Sequence, residues 1–240
     1  MKIFAHRGAS AYAPENTLES FALAAKMKPD GIELDVQRTR DGELVVCHDE
    51  TIDRTSDGHG WLKDYTLEEL RGFHFNKTHP EYKDARIPTL REVYEFMRPT
   101  GLLINVELKT GIFTYDGIEE QAAYLTREMK MEEQVFYSSF NHFSVRKMKE
   151  LAPFADAGLL YADRPIGVVE YAKNAVHADA LHPAIYHLTE PGYVERAHEA
   201  GLKVRVWTVD GADRIRQMQA LKVDAIFTNE PDAALREVRA

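Results

Sequence analysis

A single cysteine, Cys47, stands in the 240-residue chain, which excludes an internal disulfide and points to a reducing compartment. Basic residues are also in short supply: 30 Lys and Arg against 39 Asp and Glu, a formal net charge of -9. A nucleic-acid or anionic-membrane binder needs the opposite balance. Neither is expected as a partner, and an anionic substrate would have to find its cations gathered locally. No apolar stretch reaches the ~20 residues that span a bilayer, and no signal-peptide pattern precedes the first strand-like run. A cytoplasmic location without stable membrane association is the expectation. Repeats, low-complexity tracts and linkers rich in Pro, Gly and Ser are missing too. That absence favours one globular unit, residues 1–240, long enough for a large α/β barrel.

What the chain does contain is an alternation. Short apolar runs at 3–7, 31–36, 44–48, 102–108, 134–139, 157–161, 179–183, 203–208 and 224–228 are separated by segments of helical period. Capping-box spacing marks helix starts at Asn16 with Glu19 and at Thr89 with Glu92, and Asn141, Thr189 and Asp210 mark others. This pattern predicts parallel strands joined by crossover helices. Nine strands are one too many for an eight-stranded barrel, and the chain shows which is extra. Residues 37–43 are too few for a crossover helix and include Asp41-Gly42, a hairpin-turn pair. Residues 44–48 are therefore expected to return antiparallel, with Arg40 opposite Glu43 and Asp35 opposite His48. The fold class that follows is α/β: a (β/α)8 TIM barrel with a β-hairpin and a short insertion, about 49–88, after strand two. Trp61, Tyr65, Leu67, Leu70, Phe73 and Phe75 give that insertion enough apolar surface to cover part of the barrel mouth, or simply to cap the hairpin.

Active sites of such barrels gather at the C-terminal ends of the strands. Strand parity puts Glu33 and Asp35 on one face of 31–36, and Asn105, Glu107 and Lys109 on one face of 104–109, with the apolar residues opposite. Glu33, Asp35 and Glu107 suit one divalent cation, Mg2+ or Ca2+. Taken alone they suit equally a buried ion-pair network neutralised by Lys109 or Arg7. His6 and His48 can share one proton at neutral pH, one accepting from a nucleophile while the other donates to a leaving group. Arg7 and Lys109 are candidate phosphate ligands, and Gly8 lets backbone approach closely. Trp207 shares a face with Arg205 and is a candidate wall of the substrate site or a core residue. His182, at a strand end, could approach the mouth, and fits wall or core packing better than catalysis.

The motifs that carry these groups are His6-Arg-Gly-Ala-Ser10, Pro14-Glu-Asn-Thr17, Glu33-Leu-Asp-Val36, Thr39-Arg-Asp-Gly42, Val45-Val-Cys-His-Asp49, Asp53-Arg-Thr55 and Val106-Glu-Leu-Lys109, with Tyr137-Ser-Ser-Phe140, Trp207-Thr208 and Phe227-Thr-Asn-Glu-Pro231 later. As a set they resemble the glycerophosphodiester phosphodiesterase family. The resemblance implies a (β/α)8 barrel that uses a divalent cation to hydrolyse deacylated phospholipids, such as glycerophosphocholine and glycerophosphoethanolamine. The products are sn-glycerol 3-phosphate and an alcohol. It implies acid/base roles for His6 and His48, metal ligation by Glu33, Asp35 and Glu107, and phosphate binding by Arg7 and Lys109. Asn229 stands where the family often has Asp. Either the glycerol 2-hydroxyl or water can serve as nucleophile with these residues. Two other readings remain: a lysophospholipase D or phospholipase-D-like enzyme acting on lipids from the same barrel, and a non-catalytic barrel, which would be expected to have lost His6, His48 or a carboxylate.

Overall fold

The computed structural model of the chain describes residues 1–239. Its strands are β1 (Lys2–Ala5), β2 (Gly31–Arg38), β3 (Leu44–Val46), β4 (Leu103–Leu108), β5 (Val135–Ser139), β6 (Ala157–Tyr161), β7 (Ala180–Pro183), β8 (Lys203–Val206) and β9 (Ala225–Thr228). The helices between and after them are α1 (Leu18–Met27), α2 (Leu67–Leu70), α3 (Leu90–Met97), α4 (Ile118–Glu128), α5 (His142–Leu151), α6 (Val168–Tyr171), α7 (Tyr193–Glu199), α8 (Ala212–Ala220) and α9 (Pro231–Arg239). All strands but β3 pair in parallel and close on themselves through β9, β1 and β2, giving the eight-stranded TIM barrel. β2 is long because one of its edges serves two partners. Gly31 and Ile32 pair with β1, and Val36–Arg38 pair antiparallel with β3. The hairpin thus occupies the edge that β1 leaves where it ends.

The hairpin register differs by one residue from the expected one. Val36 faces Val46 and Arg38 faces Leu44, and the Cys47 N–H donates to the Asp35 carbonyl at 2.9 Å. Cys47, not His48, opposes Asp35. A two-residue turn needs left-handed backbone at both centres. Here three residues turn instead, closed by Thr39 N–H to the Glu43 carbonyl at 3.0 Å, with only Gly42 left-handed (φ 93°). Asp41 is thereby free to accept from Thr39 Oγ1 (2.6 Å) and from Leu67 N–H at the start of α2 (3.1 Å).

Parity holds as expected. Ile32, Leu34, Val36, Ile104, Val106 and Leu108 face outward into the layer shared with the helices. Inside, Phe4, Phe136 and Phe227 form an aromatic floor, with ring centroids 5.3 and 5.4 Å from that of Phe4. His182 completes the floor, fully buried, its ring 5.4 Å from Phe227. It has room only because residue 158 is glycine: a Cβ there would lie 2.3 Å from His182 Nε2. Arg205 packs against this floor, stacked 4.3 Å over Phe136, with Nη1 3.4 Å from His182 Nε2, and pairs with Asp156.

Helix starts divide into confirmed and corrected ones. Thr89 with Glu92 makes the capping box of α3, and Asn141 caps α5. α1 is capped by Thr17 with Ser20, not by Asn16 with Glu19. Thr189 ends a 3-10 turn while α7 follows Gly192, and α8 follows Gly211 rather than Asp210. Asn16 and Asp210 are polar residues occupied elsewhere, as the site shows. The insertion builds a small core of its own under the hairpin, from Val45, Cys47, Ile52, Leu62, Leu70, Phe75 and Ile87, with Tyr65, Leu67 and Phe73 against it. It caps the hairpin, and Trp61 stays half exposed, edge-on to Phe113. No helix among the described residues is long and apolar enough to cross a membrane.

Candidate active site

β1 stops at Ala5, so His6 and Arg7 lie on the turn beyond it, not on the strand. Arg7 (φ 56°) and Gly8 (φ 81°) are both left-handed. Glycine is required at position 8 by the helix behind it, since a Cβ there would lie 2.3 Å from Ser20 Oγ. The reversal aims the Arg7 backbone N–H at Glu33 Oε2, 2.9 Å away. His48 sits on the bend after β3, and Trp207 just past β8.

These segments enclose a cavity of about 300 Å3, lined by His6, Arg7, Glu33, His48, Glu107, Trp207 and the neighbouring Asn105, Ser138, Phe140, Leu160, His182 and Phe227. A larger cavity of about 610 Å3 lies over the loops after β6 and β7 and contains none of them. At the metal-candidate corner, Glu33, Asp35 and Glu107 each offer an oxygen within 4.8 Å of the others. Lys109 Nζ lies 3.0 Å from Glu107 and 3.8 Å from Asp35, and Arg7 Nε lies 3.5 Å from Asp35. Asn16, displaced from its expected capping role, donates to Asp35 Oδ2 at 2.8 Å.

Three buried carboxylates beside two cations are short of positive charge. Burial, followed by repulsion from Asp35 and Glu107, pushes the Glu33 pKa well above the carboxylate range. Burial likewise raises Glu107, despite Lys109 beside it. Burial works in the same sense on Asp35, but the charges of His48, Arg7 and Lys109 outweigh it and keep Asp35 ionised. Its Oδ1 is nonetheless buried without a hydrogen-bond partner. A group of oxygen ligands too close to ionise together, with one lone pair unsatisfied, fits a divalent cation.

Both histidines have one nitrogen fixed. His6 Nδ1 lies 2.7 Å from Asn229 Oδ1. The Asn229 amide is oriented from behind: Nδ2 donates to Asp210 Oδ2 at 2.7 Å, and its backbone N–H to Asp210 Oδ1 at 2.9 Å. Asn229 Oδ1 therefore faces the imidazole and accepts, so Nδ1 carries the proton and Nε2 keeps its lone pair. Burial first, then the charge of Arg7, lowers the His6 pKa to about 4. His48 Nδ1 lies 2.6 Å from Asp49 Oδ1. Hydrogen bonding to His48, then Arg54, hold the Asp49 carboxyl below its usual range against burial. An ionised Asp49 accepts from His48 Nδ1 and so fixes the orientation of the ring.

The sequence model of the glycerophosphoryl diester phosphodiesterase family matches residues 6–233, nearly the whole chain. The chain belongs to that family. It is 43% identical over 243 residues to a glycerophosphodiester phosphodiesterase of Caldanaerobacter subterraneus subsp. tengcongensis, an alignment covering 99% of this chain and 97% of that one. It is 40% identical to one from Bacillus altitudinis, over 98% and 97% of the two chains. Among solved structures, an Oleispira antarctica phosphodiesterase in complex with the product sn-glycerol-3-phosphate superimposes with a TM-score of 0.89 at 28% identity, covering 100% and 97% of the chains.

The family motifs account for the groups the structure brings together, but not for the residues that orient them. Asn229 was legible as a departure from the family pattern, and Asp210 only as a helix start. Asp49 and Arg54 lie inside the motifs without a role that spacing reveals. The signal for Asp49 was its place directly after His48. For Asp210 there was none, since 18 residues separate it from Thr228, whose hydroxyl it accepts at 2.9 Å. Of the two places open to Trp207, the structure puts it on the cavity lining, its Nε1–H donating to the His182 carbonyl at 2.7 Å and its ring edge-on to Phe140 at 5.5 Å.

Proposed function

We propose that the chain cleaves glycerophosphodiesters, such as glycerophosphocholine and glycerophosphoethanolamine, to sn-glycerol 3-phosphate and an alcohol, with a divalent cation, Mg2+ or Ca2+, on Glu33, Asp35 and Glu107. The observation that carries this reading is the convergence around one cavity, lined by His6, Arg7, Glu33, His48 and Glu107, of two histidines with Nδ1 fixed and an acidic triad that Asp35 completes and Lys109 flanks. The sn-glycerol-3-phosphate held by the Oleispira antarctica relative supports the substrate class.

The bound cation would neutralise charge on the phosphoryl oxygens. Arg7 and Lys109, held beside the triad, add positive charge where the phosphate sits. His6 is the base: Nε2 takes a proton from the attacking hydroxyl, whether the substrate's own 2-hydroxyl or water, as the new phosphorus–oxygen bond forms. His48 is the acid: with Nδ1 on Asp49, Nε2 gives its proton to the alkoxide as the bond to the alcohol breaks. Trp207 and Phe140 form the aromatic wall against which the substrate lies. A cytoplasmic location suits both the lone, buried Cys47 and a small water-soluble substrate.

The test is a coupled assay for released glycerol 3-phosphate from several head groups, with and without chelator, on wild type, His6→Ala and His48→Ala. Each variant should lose most turnover, and the double variant should lose little more than either alone. Near-normal turnover in either single variant would make that histidine structural. A preference for lysophospholipids over all deacylated diesters would replace this reading with the lipid-acting one.

A further inference from the structure

Arg54 lines neither the cavity nor the triad, yet its guanidinium makes four hydrogen bonds to carboxylates serving two parts of the site. Nε and Nη2 fork onto Asp49, at 2.6 Å to Oδ2 and 3.1 Å to Oδ1. Nη1 and Nη2 fork onto Glu15, at 2.6 Å to Oε2 and 2.8 Å to Oε1. Asp49 in turn holds His48 Nδ1, and Glu15 Oε1 accepts from Arg7 Nη1 at 2.9 Å. A planar group with five donors is one of the few that can meet two carboxylates edge-on at once.

We propose that Arg54 is a positioning residue that couples the two parts, setting the carboxylate that orients His48 and the carboxylate that orients Arg7 with a single guanidinium. The inference rests on the roles given to His48 and Arg7 above. Arg54 is not needed to fold the insertion, which has its own core and is closed by backbone bonds from Ile52 to Gly60 (3.0 Å) and from Leu62 to Glu50 (2.9 Å). Its side chain is 44% exposed, while Glu15 and Asp49 are 12% and 27% exposed, so a bidentate network of this kind adds to stability as well as to geometry, and the two contributions are separated by experiment. Two forks on partners of functional groups are better explained by geometry held for the reaction. Removing the guanidinium leaves Asp49 and Glu15 free to swing, and His48 and Arg7 with them.

The experiment uses the full chain with glycerophosphocholine as probe. Arg54→Ala should lower kcat about 10²-fold, the loss that a 1 Å misplacement produces, and raise KM by a smaller factor, measured well below the variant's own unfolding midpoint. Arg54→Lys should recover little, because a point charge cannot make both forks. Millimolar guanidinium should restore much of the loss in Arg54→Ala and nothing in wild type. Asp49→Asn and Glu15→Gln, each harmful alone, should cost less than about twofold more once Arg54 is gone, because the partners act as a unit. Ring-nitrogen NMR spectra need no turnover: the His48 signals should move in Arg54→Ala, and those of His198, paired with Asp224 beyond the other end of β9, should not. An Arg54→Ala variant with kcat within about twofold of wild type would overturn the proposal. So would unmoved His48 signals, or a loss that guanidinium does not restore and that adds fully with Asp49→Asn. If wild type hydrolyses no glycerophosphodiester, the functional reading fails, while the ring spectra still decide whether Arg54 sets His48.

Discussion

Asp210→Asn changes one atom and should reverse a proton. In the wild type Asp210 Oδ1 accepts from Thr228 Oγ1 and the Asn229 backbone N–H, both at 2.9 Å, and Oδ2 accepts from Asn229 Nδ2 at 2.7 Å. The backbone donor cannot turn away, so an asparagine at 210 must keep its oxygen on that side and present its NH2 to the Asn229 amide. Two NH2 groups cannot face each other, and Asn229 then flips. Its Nδ2 turns toward His6 Nδ1 and toward Ser10 Oγ, which lies 2.9 Å from Asn229 Oδ1 and 2.8 Å from the His6 carbonyl. Ser10 can accept from the flipped amide while donating to that carbonyl, so no polar group is orphaned. The cost to folding is about 1 kcal/mol, the difference between hydrogen bonds to a charged and to a neutral acceptor. The cost to catalysis is larger. His6 Nδ1 must now accept, its proton moves to Nε2, and the nitrogen proposed as the base becomes a donor. Loss of a positioned base removes about 10²- to 10⁴-fold, or about 3 to 5 kcal/mol of barrier. The assay is kcat for release of glycerol 3-phosphate, beside a thermal unfolding curve and ring-nitrogen spectra reporting the His6 tautomer. A variant keeping more than about a tenth of wild-type kcat, or a wild-type His6 with its proton on Nε2, would refute the reasoning.

Exhaustive chelation should abolish turnover, with Mg2+ or Ca2+ restoring it, and Glu107→Gln should weaken metal binding at least about 10-fold; full activity in the chelated enzyme would refute the role of the triad. The base form of His6 is the neutral one, and burial and Arg7 lower its pKa to about 4. At saturating cation, which keeps Glu33 and Glu107 ionised, activity in kcat/KM should therefore persist below the ordinary histidine range and fall as pH passes through about 4, or lower once the cation adds its repulsion. An acid limb near ~6.5 would overturn His6 as the buried base. Gly158→Ala drives a Cβ to 2.3 Å from His182 Nε2, an overpacking worth about 1 to 3 kcal/mol. The unfolding midpoint should drop about 2 to 4 °C per kcal/mol, and an unchanged midpoint would mean that the floor yields freely.

The alternation of apolar runs and helical segments determined the barrel, because each strand has to bury one face against helices and the other against the barrel interior. Parity in β2 and β4 was sufficient to set Glu33, Asp35 and Glu107 on the inward face, since successive side chains of a strand must point to opposite sides whatever the tertiary context. The hairpin register was not determined in this way. It turned on whether two or three residues made the turn at Asp41-Gly42, and the anchoring of Asp41 on α2 is a contact 26 residues away. Asn16 showed the same limit: its spacing suited a helix cap, but barrel closure brought Asp35 to it and Thr17 capped the helix instead. The residues that fix the two imidazoles were the least legible. His6 and Asn229 are 223 residues apart, and they meet only because β1 and β9 are neighbours in a closed barrel. Local pattern selects which face a side chain takes and how often. Which loops then share the mouth, and so which amide or carboxylate holds which proton, depends on closure, and only the tertiary structure decided it.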